Sequence, residues 1–101
     1  MKKFAIRIEN DAVQDIQDGI SYYETQQIGL GRKFHIFIKE SIEVLTYSPF
    51  FKVYHKNIRC LPLIRFPFSI FFAVDTETST VHIVAILHQA LEPNKINKRV
   101  I

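Results

Sequence analysis

The chain has 101 residues, 48% of them hydrophobic and nine of them Phe, with one Cys and a formal net charge of +3. This length predicts one domain over residues 1–101; a domain so small buries only about 60–65% of its unfolded surface, so its core must be dense or completed by a partner. The lone Cys60 excludes an internal disulfide and fits a reducing compartment, while the lack of a signal-peptide core or of roughly 18 uninterrupted apolar residues predicts a cytoplasmic protein with no membrane contact.

Phe4, Ile6 and Ile8 alternate with Ala5, Arg7 and Glu9, the period of a half-buried strand. At Asn10 and Asp11 the period changes. Either residue can cap a helix, and Gln14 stands three beyond Asp11. Val13, Ile16, Ile20 and Tyr23 then recur at spacings of three and four, with Gln14, Asp15, Gln17 and Asp18 on the other side. The spacing predicts an amphipathic helix over Asp11–Gln27, stopped at Gly29, which is free to take a positive φ. Phe34, Phe37, Ile38, Ile42 and Leu45 mark a second helix over Arg32–Tyr47, ended by Ser48 and Pro49. The short link makes the two an antiparallel hairpin. At Gly31 a tight turn or a close helix approach is expected.

Beyond Pro49 the period returns to two. Phe51–Tyr54 reads as a short strand or an extended segment, and Ile58–Phe66 as a longer strand. Pro62 cannot donate to a ladder, so the longer strand should be an edge or carry a bulge there. Phe68–Val74 and Thr80–Leu87 are rich in β-branched and aromatic residues and are joined by the polar turn Asp75–Ser79. The tail from Glu92 is polar and basic, a short helix or an extended arm. The expected fold is α+β: an N-terminal strand, a helical hairpin, then an antiparallel sheet of three to four strands, in the order β-α-α-β-β-β.

The candidate chemistry is sparse. His35, His55, His82 and His88 are scattered, and no ligand spacing predicts a metal site. His82 and His88 share strand parity, so both are expected on one face of the sheet. His88 ends a strand, a place for a structural histidine first and for an exposed catalytic or contact residue second. Cys60 reads as a small hydrophobe. No phosphate loop or dinucleotide fingerprint occurs, and no cofactor is expected.

Charge is more informative. Residues 1–51 carry six Lys and Arg against seven Asp and Glu; residues 52–101 carry seven against three. The second half is therefore where an acidic partner, nucleic acid or peptide, should meet the protein. Arg59 and Arg65 fall on one strand face if the strand is unbroken, with Lys52 and Lys56 before them and Lys95, Lys98 and Arg99 in the tail. Arg59, Arg65, Lys95, Lys98 and Arg99 form the candidate set for binding phosphates or carboxylates.

Taken in order, these pieces resemble the RelE/ParE toxin superfamily over nearly the whole chain. The residues that carry the resemblance are Ala12, Asp15-Ile16 and Tyr22-Tyr23, then Gly29-Leu30-Gly31 with Phe34. They continue with Ser48-Pro49, Arg59 before a strand, Arg65-Phe66-Pro67-Phe68, the Val74-Asp75 turn, Ile83–His88 and Glu92-Pro93. The nearest flavour is the ParE-like, plasmid-stabilisation branch. The resemblance implies the toxin of a type II toxin–antitoxin system, held inactive by a cognate antitoxin that lays a helix or strand along it. RelE-type members cut ribosome-bound mRNA with basic residues and an aromatic or histidine near the late strands; ParE-type members poison DNA gyrase without hydrolysis. Two departures bear on this choice. Phe68–Phe72 holds no arginine, and His88-Gln89-Ala90-Leu91 has Ala90 near where the family often has one. The resemblance therefore implies a binding toxin first. An mRNA endonuclease using His88 is the alternative, and a non-toxic antitoxin-binding module a third reading.

Overall fold

The computed structural model describes residues 2–90, 96, 98 and 99. Its elements are β1 (Ala5–Ile8), α1 (Asn10–Gln26), α2 (Leu30–Tyr47), β2 (Val53–His55), β3 (Ile58–Pro62), β4 (Phe68–Asp75) and β5 (Thr80–His88). The sheet order is β1-β5-β4-β3-β2. The four strands after the hairpin are antiparallel, as the sequence predicts. β1 adds a parallel seam to β5, with Ala5 beside Thr80 and Ile8 beside Ile83.

α1 starts without the predicted cap. Glu9 stands at the N-cap in extended conformation and no side chain caps the helix. Gln14 instead donates to Asp18, one turn on. The buried line is also rotated from the prediction: Ala12 and Gly19 are buried, Ile16, Ile20 and Tyr23 are partly so, and Val13 is exposed. Small residues win this face because the neighbour is close. A Cβ at Gly19 would lie 2.5 Å from the Phe34 ring, and one at Gly31 2.5 Å from the Ile20 carbonyl oxygen. Gly31 is thus the close helix approach the sequence suggested.

The turn between the helices is closed from an unexpected direction. Glu24, on the last turns of α1, accepts from the N–H groups of Gly29 (3.0 Å) and Gly31 (3.1 Å). Those donors open α2 and would otherwise lack partners, and the carboxylate also suits the positive end of the helix. Gly29 takes φ +88°, the left-handed conformation that glycine adopts without strain.

α2 buries Phe34, Ile38, Ile42 and Leu45, the predicted stripe, against Ile70, Phe72, Val81, Ile83 and Ile86 of the sheet. Tyr23, Phe34, Phe37, Phe66 and Phe68 meet at one end, with ring centroids 4.8–6.0 Å apart. The other face of the sheet has a smaller cluster of Ile58, Phe71, Ala85 and Leu87, joined by Ile96.

Two strand expectations are corrected. The predicted strand Ile58–Phe66 ends at Pro62, and residues 63–67 form a loop. β3 is an inner strand, not an edge. Proline is tolerated because β2 pairs only with Ile58 and Arg59 and never reaches it. In β5 the register slips: Phe71 faces Ala85 while Phe72 faces Ile83, leaving Val84 as an extra residue. Such a bulge reverses side-chain parity beyond it. Val84, Ala85 and Leu87 accordingly join the far cluster, while Val81, Ile83 and Ile86 join the helix-side core.

Candidate functional site

The bulge separates the two strand histidines, which the sequence had placed on one face. His82 borders a shallow polar hollow with Asn57, Asp75 and Glu77. His88 sits on the helix side, in a groove of about 210 Å³ lined with Asp15, Asp18, Gly19, Tyr22, Phe68 and Ile86. The His88 ring stands edge-on to Phe68 at 5.4 Å. Its Nδ1 accepts from the Ala90 N–H at 3.1 Å, which leaves a proton on Nε2 in the neutral ring. Among the described residues, the charged groups that line this groove with His88 are the carboxylates of Asp15 and Asp18.

Asp15 is the residue that the sequence reading misplaced. Expected on the outer side of α1, its side chain is 10% exposed. It accepts from the Ile86 N–H at 2.9 Å and from both terminal nitrogens of Arg99, Nη2 at 3.0 Å. Asp11 lies 3.9 Å from Arg99 Nε, and Arg99 Nη1 also approaches the Val84 carbonyl at 3.4 Å. The geometry has a backbone cause. β1 covers the edge of β5 only as far as Ile83, and beyond it polar backbone groups need other partners. Asp15 and Arg99 supply them. Hydrogen bonding to Asp15 raises the Arg99 pKa, burial opposes the rise, and the charges of Asp15 and Asp11 add to it. Asp15 was legible in principle, since it lies three residues beyond Ala12 and four before Gly19 on their buried side.

Of the predicted binding residues, the described ones do not assemble into one patch. Arg59 is half-buried; its Nη1 donates to the Phe51 carbonyl at 2.7 Å and its guanidinium lies 5.4 Å from the Phe50 ring centre. Arg65 is exposed in the loop before β4, because β3 stops at Pro62. Its guanidinium lies 5.8 Å from the Phe37 ring, beside a cleft of about 360 Å³ lined with Lys33, Ile36, Glu40 and Phe66. Arg99 points inward to Asp15, Lys98 is exposed, and Lys95 lies outside the described residues. At the far edge of the sheet β2 is exposed along its length, and Lys52, Val53, Tyr54, Cys60 and Pro62 line a groove of about 330 Å³. Among the described residues no group of three or more His, Cys, Asp or Glu could hold a metal ion, and no helix is long and apolar enough to cross a membrane.

Neither a family model nor a curated protein sequence matches the chain. Solved structures do. One is from the chromosomal ParDE toxin–antitoxin system of P. aeruginosa, at 22% identity and a TM-score of 0.73, covering 85% of this chain and 96% of that one. The chain has the RelE/ParE toxin fold. A free-state mutant of E. coli toxin RelE matches at 13% identity and a TM-score of 0.68, over 98% of this chain and 94% of that one. The toxin–antitoxin complex RelBE2 of Mycobacterium tuberculosis matches at 15% and 0.61, over 85% and 98%.

Proposed function

We propose that this chain is the toxin of a type II toxin–antitoxin pair, acting in the cytoplasm by binding a cellular machine such as DNA gyrase rather than by cutting RNA. The toxin reading is supported by a fold shared with toxins of ParDE and RelBE pairs. The binding mode is supported by one observation: the groove at His88 is lined with Asp15 and Asp18, and Arg99 beside it is committed to Asp15. An RNase must protonate a leaving oxygen and stabilise charge on a phosphate. With the charge of Asp15 balanced by Arg99, Asp18 leaves the groove net negative, which disfavours a phosphate. Arg65, exposed on its loop, is the proposed contact for the target, since arginine is a frequent hot spot of binding surfaces.

The antitoxin is proposed to lie along β2, the exposed end strand of the sheet, between Lys52 and Lys56. An extended, acidic segment with apolar side chains suits that edge by strand addition and charge. Inducible expression of the chain alone should arrest growth, and co-expression with the product of a small adjacent reading frame should relieve the arrest. Inhibition of gyrase supercoiling without new RNA ends supports the binding mode. New RNA ends with unimpaired supercoiling would replace it with the nuclease, and harmless expression would leave only an antitoxin-binding module.

A further inference from the structure

α2 has a second apolar stripe on its solvent side. At about 100° per residue, Ile36 falls opposite the buried line of Phe34, Ile38, Ile42 and Leu45, and Val44 on its outer flank; they are 44% and 48% exposed. The outer side of a surface helix is ordinarily polar. At the N-terminal end of the same helix, the hairpin turn exposes Ile28 to 92%. Between the apolar residues stand two charges, Lys33 and Glu40, two turns apart, and neither has an ion-pair partner among the described residues.

We propose that this face of α2 is a homodimer interface, with two copies of α2 packed antiparallel across a twofold axis between Ile36 and Phe37. The choice of a second copy rests on charge complementarity. A twofold interface must match itself, and Lys33 and Glu40 lie at equal distances on either side of that axis. It sets Lys33 against the second copy's Glu40, and Glu40 against the second copy's Lys33. The same axis sets Ile36 against the second copy's Phe37, and Val44 against its turn at Ile28 and Gly29. One symmetry element thus covers three exposed apolar residues and pairs both charges. The cleft of about 360 Å³ beside Phe37 and Phe66 gives the incoming side chains a place to seat. β2 and the groove at His88 involve other residues; Arg65 borders the same cleft, so dimer and target compete for it, and sedimentation reads the dimer independently of any toxicity.

Sedimentation equilibrium of the purified chain at low salt, over a range of protein concentrations, tests this. The expected result is a reversible monomer–dimer equilibrium. Glu40→Lys or Lys33→Glu should weaken it about tenfold or more, because like charges then face each other. The double variant Lys33→Glu/Glu40→Lys should restore it, and the two single variants, monomeric alone, should dimerise when mixed. Ile36→Asp should abolish it. All three positions are exposed, so the variants should keep the parent's thermal unfolding. A chain that stays monomeric at every concentration overturns the proposal. So does a dimer that neither Glu40→Lys nor Ile36→Asp weakens, or a monomer that takes up only a different protein on this face.

Discussion

Arg99 and Arg65 both come from the basic half of the sequence, and the fold uses them in opposite ways. Arg99 turns inward, where Asp15 takes both terminal nitrogens and fixes α1 to the bulged edge of β5. Arg65 turns outward over Phe37, on a loop that a proline released from the sheet. Positive charge in a sequence measures the supply of cations, while the carboxylates and carbonyls that the fold brings near them decide which remain available. Arg59 is intermediate, half-buried and bonded to a backbone carbonyl.

The largest effect should come from breaking the inward site. Asp15→Ala removes the acceptor of the Ile86 N–H and leaves a mostly buried guanidinium without its partner, a cost of about 3–5 kcal/mol in denaturant unfolding. Replacing both Asp15 and Arg99 by Leu should recover most of that loss, since apolar residues can substitute for a buried ion pair. A double variant no better than Asp15→Ala would show that Arg99 is not the partner that matters. Arg59→Ala should cost less, about 1.5–3 kcal/mol, the range for a hydrogen bond made by a charged group.

The outward site rests on aromatic packing, which has its own pH signature. Burial raises the pKa of Tyr23 above its ordinary 10.0, and the neighbouring Tyr22 adds to the rise. The unfolded chain therefore ionises first. The contribution of Tyr23 is complete below pH 10.0 and is lost as pH rises through the higher folded value. Alkaline denaturation should weaken when Tyr23→Phe removes the titrating group. Smallest of all, Arg65→Ala should change stability by no more than about 0.5 kcal/mol, as for an ordinary surface position.

The sequence made the helices and the two long strands legible because their periodicities are strong and their stops are chemical: Gly29, Pro49, and Asp75, whose carboxylate accepts from Glu77 and Thr78 in the turn. It did not reveal the parallel seam, which depends on where β1 returns in space. Nor did it reveal the bulge at Val84, which shows only against the register of β4 and moved His88 to the other face from His82. Asp15 was misread for a related reason. An acidic residue beside an apolar stripe reads as solvated unless a distant backbone N–H, here Ile86, needs it. The surroundings of the arginines were not legible, because Arg65 left its strand and Arg99 met a carboxylate 84 positions away in sequence.

Growth inhibition by two single variants tests the central claim, action by binding, most directly. His88→Ala and Arg65→Ala should both fold, with unfolding transitions near that of the parent. His88→Ala should arrest growth as strongly as the parent, and Arg65→Ala should be attenuated. A folded His88→Ala that is harmless, paired with a parent chain that cuts RNA and a variant that does not, would contradict it and establish the nuclease instead.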